Sequence, residues 1–189
     1  MGTLPGDTEK TLVEQARNGD RTAMRQIYDC YSRYLAATCS RYLSDSGDLR
    51  DVLQDSFVKI FSSLGRFDYR GEGSLKAWMR QISVNEALKL LRKRKRTDTV
   101  EYKWDLPDKE EEEDPDVGTI PPDVIQKMIR ALPEGYRTVF NLYVFEERSH
   151  KEIAGLLGIT ESTSASQLHR ARAILARQIN EYKRLHDGR

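Results

Sequence analysis

The chain has 189 residues, 38% hydrophobic and 32% charged, with a formal net charge of +1. That length holds one medium domain or two small ones, and the composition suits helical domains with modest cores. No apolar run approaches the roughly 20 residues a bilayer requires, so no spanning helix is expected.

The opening Met-Gly-Thr-Leu-Pro-Gly-Asp has neither a basic start nor an apolar stretch, so it predicts no secretion signal and a cytoplasmic protein. Three histidines and two cysteines show no metal-ligand spacing, and no metal or cofactor is expected. The near-zero total conceals segregation. Residues 101–117 carry nine acids and two bases, while basic patches flank them. A partner meets the local field, not the sum.

In chain order, residues 1–8 read as a loose tail. Thr8 or Thr11 caps a short helix through Asn18. Asp20 caps a longer one over residues 21–43, with Ala23, Met24, Ile27, Tyr28, Tyr31, Leu35, Ala36 and Tyr42 as its apolar and aromatic set. Cys30 and Cys39 fall on opposite sides of that helix and read as two small core residues without a disulfide. After a turn at 44–47, Asp48 opens a helix to Leu64. Its apolar face is Leu49, Val52, Leu53, Phe57, Ile60, Phe61 and Leu64. The opposite face bears Asp51, Gln54, Asp55 and an out-of-place Val58.

A glycine-rich turn at 65–73 holds Phe67, Asp68, Tyr69 and Arg70. Ser74 can then cap a helix to Arg96. This helix carries two apolar stripes, Leu75, Met79, Ile82 and Leu90 on one side and Val84, Leu88 and Leu91 nearly opposite. Between them, at 100° per residue, fall Trp78, Gln81, Asn85, Lys89 and Arg92. A nucleic-acid face uses such a set: an aromatic to stack on an unpaired base, amides for base edges, cations for phosphates. The plainer alternative makes Trp78 core and leaves the other four merely solvated. The stretch from Lys89 to Arg96 contains no acid, which favours a polyanion.

Residues 97–121, acidic and proline-bearing, read as a flexible linker, with Trp104 and Leu106 available for docking. Helices resume at Asp123, with Val124, Ile125, Met128 and Ile129 marking a short one. Residues 134–147 form the next, with Tyr136, Val139, Phe140, Tyr143 and Val144 inward. Ser149 and Glu152 make a capping box for a helix to Leu157, and Gly158 suits a tight turn. A last helix, to about Lys183, directs Leu168, Ala171, Leu175, Ile179 and Tyr182 to the core and Ser162, Ser166, His169, Arg170 and Ala173 outward, with Thr163 and Gln167 beside them. This is a helix-turn-helix pattern, and its small polar residues and cation fit a major groove. No stretch shows the alternation of a strand, so the fold expected is all-α.

The two blocks together resemble a known family. Asp-Val-Leu-Gln-Asp-Ser-Phe (51–57) is similar to the polymerase-binding motif of bacterial σ70-type initiation factors. Leu-Lys-Ala-Trp-Met-Arg-Gln-Ile-Ser-Val-Asn-Glu-Ala (75–87) resembles their promoter-melting helix. Leu-Pro-Glu-Gly-Tyr-Arg-Thr-Val-Phe (132–140), Glu-Ile-Ala-Gly-Leu-Leu-Gly-Ile-Thr (152–160) and Gln-Leu-His-Arg-Ala-Arg (167–172) resemble their second DNA-binding domain. The short length and missing middle domain point to the extracytoplasmic-function group.

The resemblance implies a σ2-like domain over 8–96, an acidic linker over 97–121 and a σ4-like domain over 122–183. It implies a transcription initiation factor that binds core RNA polymerase and directs promoter recognition and melting. Asp51, Gln54, Asp55 and Val58 would meet the β′ clamp helices. Phe67 and Asn85 would hold a base flipped from the −10 element, Trp78 would support the melted edge, and Gln81, Lys89 and Arg92 would complete that surface. Ser166, Gln167, His169 and Arg170 would read the −35 element. The other implied partners are the polymerase β flap, promoter DNA and an anti-sigma protein.

Two positions depart from the family pattern: Ser164 stands where valine is usual and Ala165 where a basic residue is often found. Ser164 lies on the core face, so looser packing is expected there. Ala165 removes one expected contact to DNA.

No Ser/His/Asp set, paired-acid constellation or phosphate-binding loop is present, so no enzyme is expected. The other reading is a helix-turn-helix regulator that acts without being a polymerase subunit, for which the bundle would serve sensing or dimerisation. A linker of about 25 residues has a root-mean-square span of roughly 25–30 Å, whereas two duplex turns cover about 70 Å. Core enzyme would therefore have to hold the two readers apart.

Overall fold

The structure is a computed structural model that describes residues 6–95, 118 and 120–186. The expected linker, with Trp104 and Leu106, lies almost wholly outside the described residues. Those residues form eight α-helices and one 3₁₀ turn, with no strand among them. The chain divides into two units, residues 1–95 and 96–189.

In the first unit, α1 (Gly6–Arg17), α2 (Arg21–Cys39), α3 (Ser46–Ser63) and α4 (Ser74–Lys95) form a bundle, and the 3₁₀ turn Leu64–Arg66 leads out of α3. Asp20 caps α2 as its sequence position predicts, accepting from the amides of Thr22 at 2.7 Å and Ala23 at 3.3 Å. Such a cap contributes about 1 kcal/mol. Ala23, Ile27, Tyr31 and Leu35 recur every fourth residue and are buried. The helix ends at Cys39 rather than Leu43, but Tyr42 and Leu43 remain buried in the turn that follows. Cys39 is buried, whereas Cys30 lies one position off the buried stripe and is exposed; it is not a core residue.

Two other caps differ from expectation. Asp45, not Asp48, opens α3, accepting from the amides of Gly47 and Asp48, both at 2.9 Å. Asp48 sits in the first turn and pairs with Arg94 of α4. Ser74 does not cap α4. Its hydroxyl donates to the Gly71 carbonyl at 2.6 Å and accepts from the Arg70 amide at 3.2 Å, which closes the preceding loop. The amides at the start of α4 go instead to Glu9 of α1.

Leu12 and Val13, Ile27 and Leu35, Phe57 and Ile60, and Leu75, Met79 and Ile82 form the first unit's core. Full burial of each large aliphatic group contributes about 1.5–3 kcal/mol. On the other side of α4, Val84, Leu88 and Leu91 are buried too. The helix is thus covered on two sides, and a narrow strip remains between them.

The second unit comprises α5 (Pro122–Ala131), α6 (Glu134–Val144), α7 (His150–Leu157) and α8 (Glu161–His186). Ile129, Leu132, Tyr136, Ala171, Leu175 and Ile179 pack at its centre, joined by Ile120. The capping box forms at α7: the Ser149 amide donates to Glu152 at 2.9 Å, and the Glu152 amide donates to the Ser149 hydroxyl at 3.3 Å. Gly158 ends α7 in the left-handed region at φ +66°, which costs a glycine little.

α6 departs from the expected pattern. It ends at Val144, and Glu147 beyond it takes φ +53°. Tyr136, Val139 and Leu142 repeat every third residue and define the buried edge, so Tyr143 and Val144 fall outside it and are exposed rather than inward.

Candidate nucleic-acid interface

On α3, Asp51, Gln54, Asp55 and Val58 follow the spacing of one helical face, and all four are exposed. Val58 is 64% exposed, in the middle of an otherwise polar strip. Val52, Phe57 and Ile60 on the opposite side anchor the helix in the core. Tyr28 of α2 is also exposed, and its ring lies 4.6 Å from that of Phe57. Periodicity had placed it only among the apolar set of α2, and its packing on Phe57 could not be read from spacing within one helix.

The strip on α4 grades from half-buried to exposed along the helix. Trp78, Gln81 and Asn85 are half-buried, while Lys89 and Arg92 are exposed. Gln81 donates its amide to the Asn85 carbonyl oxygen at 3.2 Å, which orients both side chains. Lys89 reaches Glu86 at 3.5 Å, and Glu86 also takes an ion pair from Lys59 of α3 at 2.7 Å. Burial alone would push the Glu86 carboxyl up. The hydrogen bond and charge of Lys59, then Lys89, outweigh that and hold it below the usual carboxylate value. Two lysines thus flank one buried charge beside Asn85.

Phe67 is not presented beside Asn85. It is 6% exposed and belongs to the core, its ring 4.9 Å from that of Trp78 and inclined at 34°. The 3₁₀ turn carries the chain inward at this point, with the Phe67 amide donating to the Leu64 carbonyl at 3.1 Å. Phe67 supports Trp78 from beneath. Asp68 and Arg70, paired at 3.1 Å, are exposed, as are Arg66 and Glu72 of the same connection.

In the second unit, Ser166, His169 and Arg170 are exposed on α8, and Gln167 is half-buried. The start of α6 steadies two of them. A Cβ on Gly135 would lie 3.6 Å from the Gln167 side chain, so that amide rests against the glycine backbone. Arg170 donates to the Tyr136 hydroxyl at 3.2 Å. The Ser166 hydroxyl donates to the Ser162 carbonyl at 2.9 Å, which leaves its lone pairs for an outside donor. Buried Ser164 shares a hydrogen bond with His150 Nδ1 at 3.0 Å, and His150 stacks on Tyr143 at 4.9 Å. The expected looseness at Ser164 is replaced by a polar tie between α7 and α8.

Among the described residues no group of three or more His, Cys, Asp or Glu is placed to hold a metal ion. No described helix is long and apolar enough to cross a membrane.

Residues 27–97 match the family described as Sigma-70 region 2, and residues 123–175 match Sigma-70, region 4. The chain is 30% identical to the ECF RNA polymerase sigma-E factor of Haemophilus influenzae, over 91% of this chain and 95% of that one. It is 27% identical to the ECF RNA polymerase sigma factor SigW of Bacillus subtilis, over 91% of this chain and 97% of that one. A solved structure of an engineered region 2 of sigmaE in complex with GTAAAA aligns with a TM-score of 0.43 and 31% identity, covering 49% of this chain and 94% of that one. With two region matches in order and full-length relatives at this identity, the chain belongs to the extracytoplasmic-function group of the σ70 family of RNA polymerase sigma factors.

Proposed function

We propose that this sigma factor binds core RNA polymerase through α3 and captures the melted −10 strand on α4, while α8 reads the −35 duplex. The observation that carries this reading is the strip on α4. Two buried stripes leave only Trp78, Gln81, Asn85, Lys89 and Arg92 accessible along that side, and their chemistry runs from stacking through base-edge bonding to phosphate contact. Phe67 enters this scheme as the support of Trp78, not as a base contact.

The work is differential binding. An unpaired base captured by the strip offsets an unstacking cost of a few kcal/mol, and each stacking or amide contact supplies about 1–3 kcal/mol. On α3, Val58 gives an acidic face an apolar centre. That combination suits a polymerase surface with basic residues around an apolar patch. Gln167 and Arg170, steadied by α6, and Ser166 and His169 beside them would meet base edges and phosphates of duplex. The 122–183 segment would therefore act as the −35 reader and the 8–96 segment as the core-binding and −10 domain. Family membership makes an anti-sigma protein the expected regulator.

Run-off transcription with core polymerase and a promoter library tests the scheme. Core plus this chain should initiate from a defined set of promoters with permanganate-reactive thymines near −10. Initiation no different from core alone would remove it.

A further inference from the structure

The sequence assigns α1 no task, and α1 lies upstream of the residues that match region 2. Its inner face nevertheless carries a carboxylate. Glu9 is fully buried beside Leu12, Val13 and Ala16. A buried carboxylate is costly unless its lone pairs are filled. One Glu9 oxygen accepts from the Leu75 amide at 3.1 Å, and the other accepts from the Gly73 amide at 3.3 Å. Both donors are at the start of α4.

At the other end of the same helix, Arg17 donates from Nε to the Leu64 carbonyl at 3.1 Å. Its Nη2 donates to the Phe67 carbonyl. Eight residues of helix separate Glu9 from Arg17, about 12 Å along the axis. The four groups that Glu9 and Arg17 hold in these bonds are main-chain atoms, and they bracket the loop between α3 and α4. The ties therefore fix the path of the backbone. That loop contains Gly71 at φ +107° and Gly73 at φ +81°. Glycine segments lose more freedom on ordering than others, so such a loop needs ties from outside to hold one shape.

We propose that α1 is a brace for promoter opening, with Glu9 and Arg17 as positioning residues for −10 recognition. They hold the 64–75 segment in the one path that seats Phe67 against Trp78 and leaves Asp68 and Arg70 exposed. Neither residue touches DNA; both act through the loop. The inference rests on the α4 strip being the −10 surface.

The test uses holoenzyme rebuilt from core polymerase and the full chain carrying Glu9→Gln or Arg17→Met. Glutamine keeps the shape but turns an NH₂ toward an amide donor. Methionine keeps an apolar stem and removes both donors. Transcription is compared on templates opened in advance across −10 that differ by one base in that element. The ratio of cognate to substituted template is the readout, because the fraction of folded protein cancels from it. The matching ratio for a −35 substitution is measured alongside.

Both variants should lower the −10 ratio by about fivefold and leave the −35 ratio within about twofold of the unsubstituted chain. An unchanged −10 ratio, even with reduced yield, makes α1 structural only and overturns the brace. An equal fall in both ratios overturns it as well. If the unsubstituted holoenzyme shows no base preference on the opened strand, the −10 assignment of α4 fails, and the brace fails with it.

Discussion

Asn85 sits where the α4 strip turns from aromatic to cationic, and Gln81 orients it. On the reading proposed above, Asn85→Ala removes a base-edge contact made only once the strand is open. Opening should fall by a factor of about 10, on the order of 1–2 kcal/mol, with little change in closed-duplex binding; a permanganate footprint identical to that of the unsubstituted chain would clear Asn85 of the role. Glu86 next to it makes a pH prediction. Its folded-state value is depressed by Lys59 and Lys89 in spite of burial. A depressed carboxylate stabilises the fold above its unfolded value and loses that contribution as pH falls through the folded one. Stability should therefore decline as pH drops below the ordinary value of 4.5. Lys59 is 56% exposed, so solvent screens the pair. Lys59→Met should then cost only about 1 kcal/mol at neutral pH and move the acid limb of unfolding upward; an acid limb that stays in place would show that the pair is inert. At this scale the sequence told half the story. The strip on α4 follows from 100° spacing alone, but Phe67 looked available because a loop residue carries no periodicity to reveal which way it turns.

Caps and crossings decide the element scale. The Ser149–Glu152 box and the left-handed Gly158 were both legible, since each depends on neighbours within a few residues. Gly158→Ala places a Cβ at φ +66° and should destabilise the second unit by about 1 kcal/mol. Thermal unfolding reads this directly, and an unchanged midpoint would mean that the turn relaxes at no cost. The N-terminus of α4 was not legible. Ser74 stands at the right place for a local cap, yet the acceptor comes from Glu9, 64 and 66 residues away from its two donors in sequence. No local rule reaches that far. α6 was misjudged for a related reason. Tyr143 is aromatic but falls off the buried edge, and its partner is His150 of α7. On α8, the proposed −35 reader, Arg170 donates to the Tyr136 hydroxyl of α6. Tyr136→Phe should weaken −35 duplex affinity severalfold, on the order of 1 kcal/mol, without unfolding the unit; full affinity in the variant would make the contact incidental.

For the molecule as a whole, the all-α class and the order of the two helical blocks were readable from periodicity and motif order, because both are repeated over many residues. Charge segregation was readable too, although residues 101–117, the densest acidic run, lie outside the described residues. If residues 97–121 have the reach expected of a linker of that length, they cannot by themselves set the two proposed readers two helical turns apart, so specificity should require core enzyme. The full chain alone should bind promoter and random duplex about equally, and core should add the discrimination, on the order of a hundredfold or more. Equal promoter preference with and without core would contradict this.

The double burial of α4 has a practical consequence. Because Leu75, Met79, Ile82, Val84, Leu88 and Leu91 are all buried, tolerance to substitution for mere accumulation in the cell should be confined to the positions that packing leaves accessible, among them Ala77, Gln81, Asn85, Lys89, Arg92 and Lys93. A saturation library of α4 scored once for abundance and once for reporter output would then give two profiles that agree at Leu75, Met79, Val84 and Leu88. They would part company at those accessible sites that meet the DNA strand, Gln81, Asn85, Lys89 and Arg92 on the reading proposed above, and not at Ala77; the map of that disagreement would trace the strand's footprint without a complex ever being solved.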